Sequence, residues 1–76
     1  MAVRNAMVNA RFRPNEAQEA ILDVLADEYQ ANAARISDVT GLSRQHVYGS
    51  AKSLIDAGWI EKPNRGLYRF VEDPRK

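Results

Sequence analysis

Arg44, Gln45, Tyr48 and Lys52 bring a guanidinium, a carboxamide, a phenol and an ammonium into one short stretch, SRQHVYGSAKSLIDAG, running from Ser43 to Gly58. A guanidinium can bond guanine O6 and N7 together, and a carboxamide can bond adenine N6 and N7. Arg44 and Gln45 are therefore candidates for reading base edges. The competing reading of Arg44 is a surface arginine that pairs with a nearby acid or lies in solvent. Tyr48 offers its hydroxyl to a phosphate or its ring to a thymine methyl, and half-buried packing is an equal alternative. Lys52 suits a phosphate better than a base, and Ser43 joins it as a candidate backbone contact. His46 either meets a phosphate when protonated or packs beside Val47. Gly49 stands out because glycine inside a helix costs about 0.8 to 1.0 kcal/mol relative to alanine. Either a ligand approaches the backbone closely there, or the position is an uncorrected weak spot.

What must position these groups is a helix. Val47, Ala51, Leu54 and Ile55 recur at i, i+4, i+7 and i+8, the spacing of a face pressed onto a core. Ser43 can cap its start and Gly58 is placed to end it. Upstream, Asn15 with Gln18 three residues on resembles a capping box, and Glu16 and Glu19 suit the positive end of a helix dipole. This first helix is expected to reach Tyr29, burying Ile21, Leu22, Leu25 and Tyr29 with help from Ala17 and Val24. Its acids fall on the other side and would repel phosphate, which makes it scaffold. Asn32 is expected to cap a short helix, Ala33 to Thr40, with Ile36 and Val39 pointing inward. Gly41 can take the left-handed conformation of a tight interhelical turn, with Leu42 plugging the angle.

Beyond Gly58, Trp59 to Lys62 and Leu67 to Val71 read as two strands joined through Pro63, Asn64, Arg65 and Gly66. Trp59, Tyr68 and Phe70 are expected to close this hairpin onto the helices. Lys62, Arg65 and Arg69 surround its turn, with Arg65 nearest the tip, and are candidate backbone contacts. The chain thus divides into a segment 1–14, a domain 15–71 and a loose tail 72–76. Met1 to Arg13 fits a strand through Val8, Ala10 and Phe12, or a helical stripe through Val3, Ala6, Met7 and Ala10. It is a basic arm using Arg11 and Arg13, an apolar strip joining two protomers or a protein partner, or a frayed end anchored by Phe12.

Composition narrows the classes. With 76 residues the chain makes one small domain that buries about 60% of its unfolded surface. The absence of cysteine excludes a disulfide framework and a thiolate nucleophile, and suits a reducing cytoplasm. One histidine and no carboxylates at ligand spacing argue against an enzyme and against a metal or other cofactor. No apolar run approaches the roughly 20 residues of a membrane span, so the expectation is a soluble, cytoplasmic protein with no membrane partner. The net charge of +1 is uninformative, but the charges are sorted. Residues 1–14 hold Arg4, Arg11 and Arg13 without an acid, 15–32 hold Glu16, Glu19, Asp23, Asp27 and Glu28 without a cation, and 33–55 hold Arg35, Arg44 and Lys52 against Asp38. One basic side for a polyanion and ordinary solvated faces fit this sorting equally well.

The stretch ISDVTGLSRQHVYGSAKSLIDAGWI, from Ile36 to Ile60, followed by RGLYRFVEDP, resembles a winged helix-turn-helix. Within that superfamily it is similar to short archaeal regulators, particularly haloarchaeal and phage-repressor types, and more distantly to the MarR group. The resemblance covers Asn15 to Pro74. It implies an α+β fold of three helices with a C-terminal two-stranded β-hairpin wing. It also implies a transcription regulator, as a repressor, with helix 43–58 in the major groove of double-stranded DNA and wing 62–69 on the flanking backbone. The near-neutral charge departs from the acidity usual in salt-loving archaea. A homodimer is expected because one short helix reads few base pairs, and half-sites would lie about 10 bp or a multiple apart. The alternative, from another class, is a winged-helix protein-interaction module, an adaptor or an antitoxin component. Such a module calls for apolar anchors on the exposed face of that helix.

Overall fold

Each helix begins at a side chain that satisfies an amide the helix itself leaves unpaired. The computed structural model describes residues 8–75. Helix α1 spans Glu16–Glu28, capped by a reciprocal pair in which Asn15 Oδ1 accepts from the Gln18 amide at 2.9 Å and Gln18 Oε1 accepts from the Asn15 amide at 2.8 Å. Strand β1, Gln30–Asn32, follows, and Asn32 caps α2, Ala33–Thr40, accepting from the Arg35 amide at 2.8 Å. Helix α3, Arg44–Asp56, starts at Ser43. Strands β2, Ile60–Asn64, and β3, Leu67–Phe70, close the domain.

The architecture is α+β, with three helices and a three-stranded antiparallel sheet in the order β1-β3-β2. A two-stranded hairpin was the expectation, so β1 is a correction. It pairs Gln30, Ala31 and Asn32 with Arg69, Tyr68 and Leu67. Strand β2 lies at the other edge, opposing Glu61 to Arg69 and Asn64 to Leu67 with one extra residue between. That bulge accommodates Pro63, which has no amide to give to a ladder. The sheet turns through Arg65 and Gly66, where Gly66 takes φ +75°.

Ile21, Leu22, Leu25, Ile36, Val47, Leu54, Trp59, Ile60 and Tyr68 form the centre of the core between the helices and the sheet. Two expected core residues are outside it. Tyr29 is 57% exposed, because α1 ends at Glu28 and the chain turns there at φ +71° to enter β1. Its carbonyl accepts from the Phe70 amide at 2.7 Å, so the backbone joins the sheet while the ring faces solvent. Val39 is 50% exposed. The inward position one turn after Ile36 belongs to half-buried Thr40, whose Oγ1 donates to the Ile36 carbonyl at 2.7 Å. Ile55 is only partly buried at the edge of the core.

Both ends of the described chain converge on Trp59. Its indole Nε1 donates to the Asn9 carbonyl at 2.8 Å, its ring meets Phe12 edge-on with centroids 5.5 Å apart, and its carbonyl accepts from the Val71 and Glu72 amides. The tail was expected to be loose and is not. Arg75 bonds Asp73 at 2.7 Å and reaches Asp23 of α1 at 3.0 Å, so part of the acidic helix face is neutralised from within the chain. These carboxylates hold the Arg75 guanidinium further above its already high value. Likewise residues 8–12 are held rather than frayed, since the Asn9 amide donates to the Ala57 carbonyl at 2.7 Å. The strand reading through Val8, Ala10 and Phe12 is a correction, since these described residues form no strand, while the helical stripe through Val3, Ala6 and Met7 lies outside the described residues. Among the described residues, no helix is long and apolar enough to cross a membrane.

Candidate functional site

Helix α3 divides by burial into two faces. Val47, Ser50, Ala51 and Leu54 are buried, while Arg44, Gln45, His46, Tyr48, Gly49, Lys52 and Asp56 are exposed. Gln45, Gly49, Lys52 and Asp56 follow i, i+4, i+7 and i+11 and so form one stripe along the outer side. Arg44 and Tyr48, one turn apart, flank it on one side and His46 on the other. Ser43 Oγ accepts from the His46 amide at 3.1 Å, so its hydroxyl caps the helix while its O–H can still donate. Asp56 was passed over in the sequence, although its spacing from Lys52 already put it on this stripe. Its charge repels phosphate and limits the part of the helix suited to a polyanion to Ser43–Lys52.

The turn that aims α3 is tied by hydroxyl groups. Ser37 Oγ donates to the Leu42 carbonyl at 2.6 Å, the Leu42 amide donates to Thr40 Oγ1 at 3.2 Å, and Gly41 occupies the left-handed region at φ +80°. Leu42 packs against the core from this turn. Ser37 and Thr40 are positioning residues that the apolar pattern alone did not reveal.

Lys62, Pro63, Asn64 and Arg65 are all exposed on β2 and its turn. β2 packs against α3, and the Gly66 carbonyl accepts from the Ala33 amide at 2.9 Å, which holds the hairpin tip beside the start of α2. The three cations expected here are not equivalent. Arg69 stands opposite Glu61 across the sheet, with Nε 2.6 Å from Oε2, so its charge is already balanced. Arg35 is similarly engaged with Glu28 at 2.6 Å, and that hydrogen bond holds the Glu28 carboxyl below its ordinary value. Among the described residues, Arg11, Arg13, Arg44, Lys52, Lys62 and Arg65 have no carboxylate within 4.0 Å. Among the described residues, the cations available to an anionic partner are thus those of α3 and the hairpin turn, plus the separate pair Arg11 and Arg13.

That separate pair sits elsewhere. Asn9 and Phe12 anchor residues 9–12 to Ala57 and Trp59, just past the C-terminal end of α3. A helix of 13 residues is about 20 Å long, so Arg11 lies toward the opposite end of α3 from Arg44. The structure does not bring Arg11 and Arg13 into one cluster with Arg44 and Gln45.

Tyr48, 45% exposed, connects the outer face to the sheet. Tyr68 of β3 is 2% exposed, and burial first, then the neighbouring Tyr48 phenol, push its hydroxyl above the ordinary value of 10.0. A raised folded-state value means that this group favours the fold fully below about pH 10 and that the advantage is lost as pH rises through the folded value. Thermal stability measured between about pH 9 and 11.5 is therefore expected to fall more steeply for the wild type than for Tyr68→Phe. Parallel curves would contradict the assignment.

A side chain at Gly49 would meet nothing within 4 Å. Gly49→Ala is accordingly expected to stabilise the unbound protein by about 0.8 to 1.0 kcal/mol, raising Tm by about 4 to 8 °C per kcal/mol for a domain of this size. An unchanged or lower Tm in a circular-dichroism melt would contradict this. If DNA affinity then stays at the wild-type level, close approach at Gly49 is ruled out.

Among the described residues no group of three His, Cys, Asp or Glu is placed to hold a metal. Comparison with models of known families, with curated proteins and with solved structures finds no match to this chain.

Proposed function

We propose that this chain is a small transcription regulator of winged helix-turn-helix architecture that reads double-stranded DNA through α3 and acts as a repressor by occupying its site. The observation that carries the reading is the outer face of α3, where Arg44, Gln45, Tyr48 and Lys52 are exposed together and neither Arg44 nor Lys52 is paired with an acid among the described residues. Exposed donors without internal partners are what base edges and phosphates require. Arg44 and Gln45, at the helix N-terminus, contact base edges, with Tyr48 and Gly49 against the groove one turn on. Ser43, His46 and Lys52 meet the phosphates beside them. Lys62 and Arg65 ride on the flanking backbone, while Arg69 remains with Glu61. The arrangement of three helices and a three-stranded antiparallel sheet is compatible with this architecture.

The protein works as a homodimer, because doubling one short reading helix supplies two half-sites. The rival reading, a protein-interaction module, calls for several apolar anchors on this face, and Tyr48 is its one large apolar side chain. The test is selection of bound duplexes from a random-sequence pool by the purified protein. The expected result is a recurring short motif, present twice with centres about 10 bp or a multiple apart. No duplex retained even at low salt would sink the DNA reading and favour a protein partner, and a retained fraction without enrichment would leave only non-specific DNA binding.

A further inference from the structure

Gln18 and Ser50 are buried polar residues, each 7% exposed, and both lie in the contact between α1 and α3. The Gln18 carboxamide is held at both ends. Its Oε1 accepts from the Asn15 amide at 2.8 Å, which fixes the plane of the group, and its Nε2 donates to the Ser50 carbonyl at 3.5 Å. The surrounding contacts, through Ile21, Leu22, Val47 and Leu54, are apolar and non-directional, so by themselves they tolerate sliding and rolling of one helix over the other. A donor whose plane is fixed and which faces one carbonyl, here across a long 3.5 Å contact, favours one rotation and one axial position over the others. Ser50 faces away from the stripe of Gln45, Gly49 and Lys52 on the same helix, so anchoring Ser50 sets where that stripe points. A slip of one residue would turn the face by about 100°.

We propose that Gln18 is a positioning residue for α3: through the Ser50 carbonyl it sets the rotation and axial position of the helix, and through them the aim of Gln45 and Arg44 at their partner. Its consequence for binding rests on the DNA reading above, whereas its geometry does not. Part of the capping box of α1 thus also reaches the middle of α3.

The experiment compares wild type with Gln18→Glu, Gln18→Met and Asn15→Ala. The Gln18→Glu variant keeps an acceptor for the Asn15 amide but has no N–H for the Ser50 carbonyl. Gln18→Met removes both bonds without burying a charge, and so serves if the glutamate variant fails to fold. Asn15→Ala loses the other half of the capping box and leaves the Gln18 bonds in place, which makes it the matched control for lost stability. Affinity is measured for a duplex recovered from the random pool and for its scrambled version. Gln18→Glu and Gln18→Met are expected to lower the ratio of the two affinities at least about fivefold, the scale of one misplaced base contact, with the salt slope unchanged. Asn15→Ala is expected to lower Tm and keep the ratio. Wild-type ratios in the Gln18 variants, or an equal loss in Asn15→Ala, would overturn the proposal. If the wild type prefers neither duplex, the DNA reading has failed and the geometry is judged by amide hydrogen exchange. Exchange at Leu54, whose amide an α-helix directs at the Ser50 carbonyl, that is faster in Gln18→Met than in Asn15→Ala supports the positioning role; equal rates overturn it.

Discussion

Trp59→Ala is expected to leave the chain unfolded at 25 °C. Trp59 is 1% exposed and is the largest side chain in the core. Truncating a buried tryptophan to alanine costs about 3 to 5 kcal/mol, and the core of a domain below about 80 residues rarely supplies more than that. The loss goes beyond volume. The indole also holds the Asn9 carbonyl and the Phe12 ring, so its removal leaves the N-terminal segment tied to the end of α3 by the Asn9 amide bond to Ala57 without its two contacts to the indole. Because the chain has a single tryptophan, the readout is far-UV circular dichroism rather than fluorescence. Trp59→Phe keeps an aromatic ring and loses the bond to Asn9, and is expected to stay folded with about 1 kcal/mol less stability from that bond, beyond the lost packing. A cooperative melt of Trp59→Ala near the wild-type Tm would contradict the role given to this residue.

The second large effect belongs to the outer face of α3. Arg44→Ala is expected to weaken binding to a duplex recovered by selection by about 1 to 3 kcal/mol, which is roughly 5- to 150-fold, and to relax discrimination at one position of the motif. Folding should be nearly untouched, within about 0.5 kcal/mol, because Arg44 is exposed and has no carboxylate partner among the described residues. Lys62→Ala provides the contrast. It should weaken binding to every sequence alike and reduce the salt slope by about one. Competition assays with selected and scrambled duplexes separate the two. If Arg44→Ala weakens both duplexes equally, Arg44 touches the backbone and the specificity lies with Gln45 or Tyr48.

The parts of this fold that were legible in the sequence are those fixed by neighbours in the chain. Asn15 with Gln18, Asn32, Gly41 and Ser43 announce helix ends because each acts on an amide or a dihedral within a few residues of itself. The outer face of α3 was legible for the same reason, since helical spacing alone separates Gln45 and Lys52 from Val47 and Leu54. Strand β1 was not. Gln30, Ala31 and Asn32 alternate exposed, buried and exposed, but three residues are too few for that alternation to signal a strand, and they are one only because β3 lies beside them. Tyr29 matched the helical period of α1, yet its place at the turn into β1 overrode that period.

In the site, what the sequence withheld was which cations are already engaged. Arg69 meets Glu61 through the register of two strands, and Arg75 meets Asp23 from 52 residues away in the chain. Neither pairing follows from local spacing. The result is a narrower set of basic groups than the sequence offered, centred on α3 and the Arg65 turn, with Arg11 and Arg13 set apart near Trp59.

The central claim is that this basic set binds DNA and that α3 reads its sequence. Its most direct test is fluorescence anisotropy of the wild-type protein with a selected duplex and a scrambled one, each titrated across a ladder of salt concentrations. The predicted result is tighter binding to the selected duplex at every salt, with log Kd rising linearly with log salt and a slope of about 0.9 for each phosphate engaged by Lys52, Lys62, Arg65 and their neighbours. Equal, steeply salt-dependent binding to both duplexes would reduce α3 to a non-specific cationic surface. No binding to either at low salt would contradict the account altogether.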